Sequence, residues 1–95
     1  MIVGICKLSF FLPDCQSLKD KRQVLRRMKD KFFARFKIQL AEVEDQDLWQ
    51  RSQLGFSVVG NDRRLIESIM DKAVGFLDSN GSAQIIDRGI EIINC

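Results

Sequence analysis

The sequence predicts an α+β sandwich: a ferredoxin-like βαββαβ chain whose four-stranded antiparallel sheet carries two helices on one face. Three observations lead there. Apolar residues alternate with period two in strand-length runs, and two longer segments place apolar residues at helical spacing. Their order, with strands linked through helices on one side, describes a split βαβ arrangement. Ninety-five residues make a single domain, 1–95, because a second core would have too little surface to bury.

Each element has its own signal. Ile2, Gly4, Cys6, Leu8, Phe10 and Leu12 share one phase of a first strand, which Pro13-Asp14 ends, since proline cannot donate to a ladder. Ser17 is a good N-cap, and Asp20 puts a carboxylate near the positive end of a helix running to about Arg35. At 100° per residue Val24, Leu25, Met28, Phe32 and Phe36 form its buried stripe, with Leu18 beside them. A second strand is expected over Ile38 to Glu44. Its apolar residues change phase midway, which a bulge would explain. The polar stretch from Asp45 to Arg51 reads as a loop. Leu54, Phe56 and Val58 define a third strand over Gln53–Gly60. Asn61 is expected to cap a second helix, with Leu65, Ile66, Ile69, Ala73, Phe76 and Leu77 as its apolar stripe and Asn80-Gly81 as its stop. Ala83 to Ile93 is the last strand, with Gly89 a bulge candidate.

Composition narrows the function classes. Apolar content of 45% beside 29% charged residues is that of an ordinary globular protein. No apolar run approaches the roughly 20 residues that span a bilayer, and the N-terminus lacks the features of a signal peptide. Cys6, Cys15 and Cys95 show no C-x-x-C spacing and read as free thiols of a reducing cytoplasm. Histidine is absent, which removes the commonest general base and metal ligand. No catalytic signature, cofactor motif or metal site is expected.

Charge is the strongest functional signal. From Ser17 to Lys37 nine cations face only Asp20 and Asp30, a net +7 in a chain of net +2, so the remainder carries −5. Such segregation points to an anionic partner. Lys19, Arg22, Arg26 and Lys29 fall on one helical stripe that also holds Phe33, while Arg27, Lys31 and Arg35 lie on the other flank. A row of cations can follow a phosphate backbone, and an aromatic among them can stack on a base. The blander alternative is a solvated face, its cations paired with Glu42, Glu44, Asp45 and Asp47. Those acids could also hold Mg²⁺, but spacing alone does not establish the convergent geometry required. Asp47, Trp49 and Arg51 are interface candidates, because Trp and Arg are typical anchors; Trp49 could equally close one end of the core. Cys15, ahead of a lysine-rich helix start, is expected to have a lowered pKa. The outward residues of the central strands, Ile5, Lys7, Ser9, Gln53, Gly55, Ser57 and Val59, include no aromatic, so base stacking on the open sheet is not the expected mode.

Several stretches resemble the YlxP-like family of small bacterial proteins, a family of unknown function. They are Ser17-Leu18-Lys19-Asp20-Lys21-Arg22, Ala41-Glu42-Val43, Gln46-Asp47-Leu48-Trp49-Gln50-Arg51, Leu54-Gly55 with Val58-Val59, and Asn61-Asp62-Arg63. The resemblance spans essentially the whole chain and implies the same ferredoxin-like fold. Genes of the family commonly neighbour those of translation initiation and ribosome-binding factors, so the resemblance also implies ribosome or RNA work. Asp45 stands where some relatives would carry His. The expectation is a non-enzymatic cytoplasmic protein binding RNA or a ribosomal subunit through Lys19, Arg22, Arg26, Arg27, Lys29 and Phe33. A self-assembling homo-oligomer without nucleic acid is the alternative.

Overall fold

The computed structural model describes residues 1–79 and 81–95. Its elements are β1 (Ile2–Phe11), α1 (Leu18–Phe36), β2 (Ala41–Glu44), β3 (Arg51–Gly60), α2 (Arg63–Asp78) and β4 (Gln84–Asn94). The antiparallel sheet has strand order β2-β3-β1-β4, so the expected ferredoxin-like α+β sandwich is the observed one. β1 lies between β3 and β4, pairing Ile5 with Ser57 on one side and with Glu91 on the other. The inward phase of β1 and β3 (Cys6, Leu8, Phe10, Leu54 and Phe56) is buried against the helices. The alternation that predicted the strands therefore describes one covered and one open face.

Both helices begin on side-chain caps. The Ser17 hydroxyl accepts from the Asp20 N–H at 3.0 Å, and the Asp20 carboxylate reaches back to the Gln16 N–H at 3.1 Å. Each bond satisfies a donor left free near a helix start. At α2 the cap is Asp62, one residue beyond the expected Asn61. Its Oδ1 accepts from Arg64 N–H at 3.0 Å and Leu65 N–H at 3.3 Å, and an ionised carboxylate suits the positive helix end better than an amide. The stop expected at Asn80-Gly81 falls on Asn80, outside the described residues; before it, the Ser79 N–H donates to the Gly75 carbonyl at 3.2 Å.

Four further expectations need correction. β2 starts at Ala41, three residues late, because α1 ends on Lys37 in the left-handed region (φ 57°) and the chain only then turns toward the sheet. A bulge does interrupt β2, between Glu42 and Glu44. β3 starts at Arg51, which pairs with Phe11. In β4, Gly89 pairs in register with Lys7, and the irregularity lies at Ile86, opposite Ser9 and Phe10. Leu65 of α2 is 58% exposed, while Met70 and Val74 are buried. The apolar stripe is therefore turned from the expected one, centred over Gly4, where a Cβ would come within 2.2 Å of the Met70 sulfur and 2.9 Å of Ile66 Cγ2.

An aromatic cluster fastens the far ends of the helices. The Phe32 ring lies 5.0 Å from Phe36, 5.1 Å from Phe56 and 6.4 Å from Phe76, and Phe36 meets Phe76 edge-on at 5.6 Å. Such tilted and edge contacts favour the aromatic quadrupole. Arg35 lies over Phe36 and Phe76 at 5.9 and 5.7 Å, which commits one of the nine cations to covering the cluster.

Candidate nucleic-acid interface

The cations of α1 divide by helical phase. Lys21 lies on the buried stripe, four residues before Leu25 and seven before Met28, and only 2% of it is exposed. Its Nζ lies 2.8 Å from Glu42 Oε2 and donates to the Asp45 carbonyl. The Ser52 hydroxyl donates to the same carboxylate oxygen at 2.7 Å. A buried ammonium survives only when paired and hydrogen-bonded, and this network supplies both. The positive φ of Asp45 (66°) turns its carbonyl toward α1. The helical stripes read from the sequence counted Lys21 among the nine cations but assigned it to neither flank. Its i+4 and i+7 spacing to Leu25 and Met28 is the signal that marks it as inward.

The remaining cations point outward. Lys19, Arg22, Arg26, Arg27 and Lys31 are exposed, and Lys29 is half-buried. Among the described residues none of these six makes an ion pair. Three of the four acids expected to neutralise them are engaged elsewhere, while Asp47 makes no ion pair among the described residues. Glu42 is held by Lys21 and Ser52, Glu44 lies 3.9 Å from Lys7, and Asp45 Oδ2 accepts from Gln53 at 3.4 Å.

Phe33 is 53% exposed, beside a fully buried Phe32. It lines a cleft of about 770 Å³ between the C-terminal half of α1 and edge strand β2, together with Lys29, Asp30, Lys37, Gln39 and Glu42. Lys37 Nζ lies 5.8 Å from the Phe33 ring centroid. The helix thus brings Arg22, Arg26, Lys29 and Phe33 together as one stripe ending in this cleft, with Lys19 at its start. Arg27 lies on the opposite flank, near Asp20 and Ser82.

The other candidates form a separate group. Asp47, Trp49 and Arg51 share a shallow hollow with Leu48, and Trp49 is 53% exposed, so it does not close the core. The loop is pinned to the start of α1 through Gln50, whose amide donates to the carbonyls of Pro13 and Cys15 at 3.2 Å each. Cys15 itself is buried. Burial, reinforced by Asp20 and Asp14, pushes its thiol up against the opposing effect of Lys21, which reverses the expectation of a lowered pKa. Burial likewise pushes Cys6 up to about 11, with Arg88 opposing.

Together these features define a small ferredoxin-like domain with a one-sided cationic helix and an aromatic cleft at the helix end. A family model described as a protein of unknown function (DUF503) matches residues 3–90, and the chain belongs to that family. It is also similar to the uncharacterized protein YlxP of Bacillus subtilis (strain 168), with 31% identity over 78 residues, 82% of this chain and 85% of the relative. No helix among the described residues is long and apolar enough to cross a membrane.

Proposed function

We propose that this protein is a non-enzymatic, cytoplasmic RNA-binding factor that works on a ribosomal subunit through α1. The observation that carries this reading is the segregated stripe of Lys19, Arg22, Arg26 and Lys29, exposed or half-exposed and without ion pairs among the described residues. Unpaired cations in one row release counterions when they meet phosphates, and that release is the main drive of sequence-independent RNA binding. A helix kept basic only for solubility would normally intersperse the two signs.

Cosedimentation with ribosomal subunits across a salt series tests the reading. Native protein should bind saturably at low salt and release as salt rises, and Arg22→Glu with Arg26→Glu should abolish binding. Absence of binding to either subunit at low salt would defeat the proposal.

Self-assembly is the second reading, favoured by Ile5, Val43 and Val59 on the open sheet face, which are 40%, 44% and 61% exposed. Its charge-driven form, with α1 of one copy on the Glu42–Asp47 acids of another, has less support because Glu42, Glu44 and Asp45 already have partners within the chain, which leaves Asp47 alone among them. A monomer at every concentration and salt in sizing experiments would eliminate this reading.

A further inference from the structure

We infer that the cleft between α1 and β2 seats one unstacked base of a single-stranded RNA, with Phe33 as the stacking platform and Lys29 and Lys37 beside the flanking phosphates. The inference rests on the RNA-binding reading above and names the form of RNA that the site takes.

Phe33 has the first property required of a platform, an accessible ring on a rigid base. About half of it is exposed, while its neighbour Phe32 is locked into the aromatic cluster by three ring contacts. The backbone of α1 that carries Phe33 is therefore fixed against the core by its neighbour, so the position of the platform does not have to be ordered on binding. The cleft of about 770 Å³ falls within the roughly 300–1,000 Å³ typical of small-ligand sites. Bases in a duplex are already stacked on one another, so an aromatic in a recess can reach only a base that has left the stack.

Lys37 supplies a second, independent observation. It is a non-glycine residue at φ 57°, in a helix C-cap position where glycine or asparagine is the unstrained choice. That backbone carries a long cation over the Phe33 ring, 5.8 Å from its centroid, at the mouth of the cleft. Lys29, on the other side, continues the stripe of Arg22 and Arg26. Asp30 and Glu42 also line the cleft, but the charge of Glu42 is matched by Lys21. Lys29 and Lys37 therefore outnumber the one remaining acid, and the Gln39 amide offers both a donor and an acceptor to a base edge.

The test compares a single-stranded ten-nucleotide RNA carrying one 2-aminopurine with a duplex of the same sequence, by anisotropy and 2-aminopurine fluorescence at fixed salt. Native protein should bind the single strand more tightly and quench the 2-aminopurine. Phe33→Ala should weaken single-strand binding roughly 5- to 150-fold, the range for losing one stacked base, and leave duplex binding unchanged. Phe33→Trp should restore it. Circular dichroism will show both variants folded, since the side chain lies largely outside the core. Equal affinity of native protein for the two RNA forms, or single-strand binding unmoved by Phe33→Ala, overturns the base seat while phosphate binding by α1 stands. No binding of either form at low salt overturns both readings together.

Discussion

The Lys21 ammonium lies 2.8 Å from the Glu42 carboxylate, with 2% and 17% of the two side chains exposed. This pair joins α1 to the short edge strand β2, whose Glu42 also lines the cleft that holds Phe33. Removing one partner leaves a charge with little access to water, a change that typically costs about 3–5 kcal/mol. Lys21→Met should lower unfolding stability by about 3 kcal/mol, the lower end because Glu42 keeps some contact with solvent. Lys21→Met combined with Glu42→Leu should recover most of that loss. Urea melts of the two single variants and the double variant would measure the coupling. Additive losses would show that the pair does not act as a unit.

Salt dependence tests the phosphate contacts more sharply than affinity. Each contact to single-stranded RNA contributes about 0.7 to the slope of log K against log salt. Arg22→Gln with Arg26→Gln should reduce the slope by about 1.4. Binding with an unchanged slope would move the contacts elsewhere.

Two glycines should respond in opposite directions. A Cβ at Gly4 would collide with Met70 and Ile66, so Gly4→Ala should destabilise by about 1–3 kcal/mol as α2 shifts from the sheet. Gly75 is exposed within α2 and a Cβ there meets nothing within 4 Å. Gly75→Ala should stabilise by about 0.5–1 kcal/mol through the entropy of the unfolded chain. Thermal unfolding of the two variants would separate these signs.

Cys6 should make the fold sensitive to alkali. Its thiol ionises near 11 in the fold against 9.0 for the free group, so between these values the native state holds a proton that the unfolded chain has lost. The stabilisation from the neutral thiol is complete below about pH 9 and declines as pH rises toward 11. At most roughly 2–3 kcal/mol is involved, at 1.36 kcal/mol per pKa unit. The stability difference between native protein and Cys6→Ala should narrow across this window in urea melts at successive pH values. A constant difference would show that the thiol does not titrate with folding. At pH 8 the exposed Cys95 should react with a thiol reagent long before the buried Cys6 and Cys15.

Much of the fold was legible because burial follows local period. Leu8 and Phe10 fall on the inward phase of β1, and Leu25, Met28 and Phe32 on the inward stripe of α1. Boundaries were less legible where two adjacent residues could each serve as a cap, as Asn61 and Asp62 could at the start of α2. The stripe of α2 was misplaced because Leu65 and Met70 are similar in hydrophobicity. Only the close approach of the helix at Gly4 decides which of them turns inward.

The sequence by itself determined the order of elements, the Ser17 cap, the concentration of positive charge on α1 and the exposure of Arg22 and Arg26, since all of these follow from residues close together in the chain. Tertiary structure alone decided that Lys21 would be buried against Glu42, that Asp45 would turn its carbonyl toward that lysine, and that Phe33 and Lys37 would border a cleft closed by β2. Lys21 meets the Asp45 carbonyl across 24 positions of the chain, and the cleft needs β2 placed against α1 by the sheet. Such geometry exists only once the sheet and helices have packed, because a charge can be buried, or an aromatic left exposed, only against a surface that the rest of the chain has supplied.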